Sequence, residues 1–117
     1  MPETTPKYVT LPERKAREAA RRATAARAVI ERLRAYVAAT GHRGRFIVFG
    51  SVAADAVRFS SDLDVLIDFP TDLERAAWIA VEAACREWDI REDIHSTATT
   101  KPDFVELIMT RPVEVIE

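Results

Sequence analysis

Residues 50–69 read GSVAADAVRFSSDLDVLIDF, and this stretch decides the fold. Phe46-Ile-Val-Phe49 immediately before it is a short β-rich run, ended by Gly50-Ser51 as a strand gives way to a turn. Val52–Val57 is long enough for one or two helical turns, and Asp62–Phe69 begins by alternating acidic and apolar residues, as a strand does. Two strands flank a glycine-serine turn, and the second opens on a pair of aspartates.

The pattern extends in both directions. Upstream, Thr10-Leu-Pro-Glu13 is a capping-box sequence with proline in the first turn. Ala19, Ala23, Ala26, Ile30, Leu33 and Val37 then recur at helical spacing until Gly41 closes the helix. The bulky end of this stripe is expected to pack on the body and the arginine-rich start to be held less firmly. Downstream, Thr71-Asp-Leu-Glu74 predicts a helix to about Trp88, Ile90–Thr97 a strand, Pro102–Met109 a short helix and Val113–Ile116 a last strand. The alternation α-β-α-β-α-β-α-β defines an α/β (α+β) domain over residues 10–117, with a small sheet of four strands flanked by helices and a long basic N-terminal helix. Residues 1–9, with two prolines and no periodicity, read as an irregular lead-in.

Composition excludes several classes. The chain has 117 residues, 48% of them apolar and 31% charged, a globular balance for one domain. The lone Cys85 permits neither an internal disulfide nor a cysteine-based zinc site. No signal-like or membrane-spanning run occurs, so the sequence reads as soluble and cytoplasmic. The net charge of −2 hides an asymmetry: residues 1–45 carry +7 and residues 46–117 carry −9. An acidic body behind a basic segment suggests cations bound at one place and a polyanion or acidic partner met at the other, unless the arginines are simply a solvated face. Arg14, Lys15, Arg17, Arg21 and Arg22 are the candidate docking charges.

Asp62 and Asp64, two apart in a strand, leave the same face about 6.6 Å apart. Alone, an Asp-x-Asp reads as exposed acids on an edge strand. Ten residues upstream, however, Gly50-Ser51 offers backbone N–H groups and a hydroxyl to a phosphate, and the helix after it would add its positive end. Two close carboxylates repel unless a cation sits between them, and Mg²⁺, which shares its shell with substrate phosphates, suits them. At ordinary residue frequencies, a Gly-Ser-x10-Asp-x-Asp arises by chance in about one such chain per thousand. Asp68 shares the face but lies about 13 Å beyond Asp64, too far to join.

Gly50-Ser51 with Asp62-x-Asp64 resembles the signature of nucleotidyltransferases of the DNA polymerase β-like superfamily. The motif spans residues 50–64, and the flanking element order extends the likeness to most of the chain after residue 29. Because no helical domain follows, the chain is most similar to the minimal nucleotidyltransferases, with a polymerase β palm-like fold. The resemblance implies a third carboxylate on a neighbouring strand. Asp93 in Glu-Asp-Ile-His-Ser is the best match, with Glu92 and Asp89 competing.

It further implies two Mg²⁺ ions on Asp62, Asp64 and Asp93, these three as catalytic residues, and Gly50, Ser51 and Arg58 on the nucleotide. The activity implied is transfer of a nucleoside monophosphate, AMP from ATP, to a hydroxyl. In minimal members the acceptor is a partner protein, a helical HEPN ribonuclease for which the chain serves as antitoxin. Where relatives run Arg-Ala-Arg-Gly after the Gly-Ser, this chain has Val52-Ala-Ala-Asp55. That departure supports the alternative of a weakly active or inactive binding module that neutralises its partner by contact. Among other residues, His95 shares a strand face with Asp93, whereas His42 reads as a turn residue, Cys85 as core, and Trp78 and Trp88 as packing residues.

Overall fold

The computed structural model describes residues 9–117. The lead-in assigned to residues 1–9 therefore lies, save Val9, outside the described residues. Eight elements follow in the expected order: α1 (Leu11–Ala39), β1 (Arg45–Phe49), α2 (Gly50–Ala53), β2 (Leu63–Asp68), α3 (Thr71–Glu87), β3 (Glu92–Ser96), α4 (Pro102–Met109) and β4 (Glu114–Ile116). They form a four-stranded mixed sheet in the order β3-β2-β1-β4. β1 runs antiparallel to both β2 and β4, while β2 and β3 are parallel, joined by α3.

Helix starts follow local chemistry. The Thr10 hydroxyl accepts from the Glu13 N–H at 3.2 Å, capping α1 as its sequence predicts. Thr71-Asp-Leu-Glu74 repeats the capping-box pattern of Thr10–Glu13 in sequence, but the box does not form: Thr71 is the first residue of α3, and Pro70 precedes it without a side-chain cap. A proline already supplies the turn there, because Leu73 N–H bonds to its carbonyl at 2.9 Å. α2 starts earlier than predicted, at Gly50, and spans only four residues. It is too short to carry the macrodipole expected to help hold a phosphate.

Period-two alternation sends side chains to two different layers. Phe46, Val48, Leu63, Val65 and Ile67 pack with Ala26, Val29, Ile30, Leu33 and Val37 of α1 and Ala77, Val81 and Cys85 of α3. On the opposite face Ile47 and Leu66 pack with Ile108 of the short α4. The buried stripe of α1 begins at Ala25; Ala19 and Ala23 are only partly buried, so the first half of the helix is held more loosely, as expected. Asp68 ends β2 opposite Arg45, with its Oδ2 2.7 Å from Arg45 Nε and its Oδ1 accepting from Thr97 Oγ1, a strand-end role far from Asp64. His42 stands exposed in the turn after α1 and Cys85 is buried, as read from sequence. Trp78 packs against the core, but Trp88 is 43% exposed and does not. No helix among the described residues is long and apolar enough to cross a membrane.

Because Leu33 is fully buried between α1 and the sheet, Leu33→Ala should cost about 2–5 kcal/mol in urea unfolding. A loss well under 1 kcal/mol would show that α1 is not part of the main core.

Candidate active site

The parallel pairing of β2 with β3 sets Asp64 directly beside Asp93, and the antiparallel pairing with β1 sets it beside Phe49. Phe49, Asp64, Asp93 and His95 therefore share the face that α4 covers only in part. Asp64 and Asp93 are register partners on neighbouring strands, so each carboxylate feels the charge of the other. Partial burial, then the charges of Asp93 and Asp62, push the Asp64 carboxyl up to about 6 from its ordinary 3.8, with His95 opposing weakly. Asp62 lies one residue ahead of β2 rather than inside it, and acts on Asp64 through charge. Among the described residues, no three His, Cys, Asp or Glu side chains are gathered to hold a metal ion as they stand. What stands together is a pair, Asp64 and Asp93, with Asp62 alongside.

The competitors of Asp93 point elsewhere. Glu92 pairs in register with Leu63, on the face turned to α1 and α3, where its charge and burial push the Cys85 thiol up to about 12, burial being the larger cause. Asp89 sits in a turn with φ 51°, its carboxylate fully in solvent.

Gly50 makes the close approach possible. It has φ 70°, which disfavours any side chain, and a Cβ there would collide with Asp64 Oδ2. The glycine-serine turn thus lies against the carboxylate, with Ser51 next to it and partly exposed. Arg58 is on the rim: its backbone closes a turn with Ser61, donating to Ser61 Oγ at 2.7 Å, and its side chain is exposed. The structure does not place its guanidinium on the carboxylates. Val52, which follows the glycine-serine pair, is buried in the main core. Asp55 occupies a left-handed turn, and its charge acts on Arg27 of α1.

Sequence reasoning missed the aromatic surround. His95 Nε2 is 3.4 Å from Asp93 Oδ2, and its ring lies 5.8 Å from Phe49 and 5.5 Å from Phe104 of α4. Phe49 ends a strand and Phe104 belongs to an amphipathic helix, so each reads as core in the sequence. The register of β1 against β2 brings Phe49 beside Asp64, and the packing of α4 brings Phe104 to His95.

A mixed sheet with a glycine-serine turn packed on strand-borne aspartates is the architecture of a nucleotidyl-transferring domain. Residues 27–117 match the nucleotidyltransferase domain family, and the chain belongs to it. The general chemistry of that class is nucleotidyl transfer. No curated protein is similar enough to match the chain.

Asp64 fixes a pH dependence. Its folded-state pKa is raised, so the folded protein holds this proton more tightly than the unfolded chain. Its contribution is most favourable below about pH 3.8 and is lost as pH rises towards 6. Asp64→Asn should flatten that part of the metal-free stability curve and raise Tm at neutral pH. A drop of several degrees would instead give Asp64 a structural role. Gly50→Ala should lower Tm and displace the turn from Asp64, and unchanged stability would contradict the packing of Gly50 on that carboxylate.

Proposed function

We propose that the chain transfers AMP from ATP to a hydroxyl on a partner protein, as the antitoxin half of a pair whose toxin is a helical HEPN ribonuclease. The observation that carries this reading is the Asp64–Asp93 pair, two hard-oxygen carboxylates drawn together with Asp62, His95 and a glycine-serine turn beside them. Such a donor set fits Mg²⁺, which takes one or two carboxylates and completes its shell with substrate phosphates. Asp62, Asp64 and Asp93 would hold the metal, two ions in all, which when bound supplies charge neutralisation along the triphosphate.

The chain's own residues supply the rest. Gly50, having no side chain, lets the backbone come close to the β- and γ-phosphates, and the Ser51 hydroxyl donates to them. Arg58, exposed in the turn ahead of Asp62, would meet the same phosphates. Asp93 faces the acceptor and takes the proton of the attacking hydroxyl as the bond to the α-phosphorus forms and pyrophosphate leaves. Phe49 and Phe104, their rings 6.5 Å apart, flank the His95 ring beside Asp93. The cytoplasm, where ATP and such partners meet, is the compartment this reading requires.

A second reading keeps the fold without the turnover. It is favoured by the residue that follows Ser51, a buried valine (Val52) with no charge to offer a phosphate. Incubation with α-³²P-ATP, Mg²⁺ and the helical protein encoded beside this chain separates the two. Transfer predicts labelling of that neighbour, lost in Asp93→Ala with the complex intact. A complex that forms and silences the neighbour without labelling it would establish the binding module instead.

A further inference from the structure

Helix α1 runs past the catalytic end of the sheet. Arg22 Nη1 donates to the Ser61 carbonyl at 2.8 Å, just ahead of Asp62, and Arg21 Nη1 donates to the Asp89 carbonyl at 3.0 Å, just ahead of β3. Glu18 engages both arginines, which lowers its own carboxyl to about 2, the Arg21 hydrogen bond being the largest cause. Two of the five expected docking charges are thereby tied to the body. Residues 11–17 extend further and are exposed throughout. They carry Arg14, Lys15 and Arg17, which enter no ion pair among the described residues. Below them, Lys15 Nζ stands 4.8 Å from the centroid of the Phe59 ring, which is 42% exposed in the turn that also holds Arg58.

This ledge is cationic and carries one exposed aromatic ring. Leu11, 63% exposed at the helix start, is its one large aliphatic side chain, and between residues 12 and 24 the apolar side chains are one proline and alanines, so it lacks the cluster of aromatic or large aliphatic anchors of a protein-docking helix. Guanidinium groups suit phosphates, and an exposed ring among cations is the arrangement on which unpaired bases stack. Residues 14–22 rise about 12 Å along the helix, roughly three or four phosphates of one strand.

We infer that Arg14, Lys15, Arg17, Arg58 and Phe59 form a binding surface for single-stranded nucleic acid, the cations on phosphates and Phe59 against a base. An exposed cation–π contact is weak, so Lys15 leaves the ring for a phosphate when a base arrives. The surface shares Arg58 with the nucleotidyl-transfer reading, but it is tested without ATP or metal, so either reading can fail without the other.

Fluorescence anisotropy with a labelled short single-stranded RNA, the matching DNA, their duplex and a poly-glutamate peptide of equal charge provides the test. Four phosphate contacts predict a log–log salt slope of about −3, or roughly fifty-fold weaker binding at about 200 mM than at about 50 mM salt. The Arg14→Glu/Lys15→Glu/Arg17→Glu variant should bind at least about ten-fold more weakly, with a shallower slope. Phe59→Ala should lose about five-fold or more on single strands and little on the duplex. Arg75→Glu, at the far end of α3, should bind like wild type. The RNA and DNA arms show whether the ribose hydroxyl is read. The inference is overturned if the triple variant binds like wild type, if Arg75→Glu loses as much, or if Phe59→Ala leaves single-strand binding unchanged. Poly-glutamate binding as tight as RNA would overturn it in favour of an acidic protein.

Discussion

Two carboxylates held side by side against their mutual repulsion are the constraint around which this domain is arranged. Asp64 and Asp93 face each other because β2 and β3 are parallel neighbours in fixed register. A one-residue slip would send one of them to the opposite face of the sheet. That register is secured by Leu63, Val65 and Ile67, fully buried on the other side of the same strand. Apolar burial on one face thus holds the two carboxylates together on the other, and the pKa of Asp64 is raised first by its partial burial and then by the charge of Asp93.

The two sides of the sheet divide the work. The face under α1 and α3 contains the main core, with Phe46 packed against Phe69 at 4.9 Å and against Tyr36 at 5.9 Å. The face under α4 has only a small core around Ile47, Leu66 and Ile108, and a helix of eight residues cannot cover it all. The uncovered end is where Asp64, Asp93, His95 and the Gly50 turn meet. Access to the site follows from the shortness of α4, as stability follows from the length of α1.

Element order and most boundaries could be read from the sequence because each element carries its own periodic signal: three-and-four spacing from Ala26 to Val37, alternation from Asp62 to Val65, and a proline at the start of α4. Asp62, Asp64 and Gly50 were legible for the same reason, since their spacing is local. Asp93 could be separated from Glu92 only by strand parity, which the register then showed directly. What was not legible depends on contacts between distant segments. Phe104 reaches His95 through tertiary packing, Arg21 and Arg22 find carbonyls at Asp89 and Ser61, and Pro70 displaces Thr71 from the cap position. None of these leaves a periodic trace.

The central claim is that the aspartates form a site requiring a cation and a triphosphate together. Calorimetric titration of the metal-free protein with ATP, with and without Mg²⁺ at neutral pH, tests it most directly. The account predicts saturable binding only when Mg²⁺ is present, and its loss in Asp62→Asn/Asp64→Asn. Equal binding of ATP–Mg²⁺ by that double variant and the wild type would contradict it.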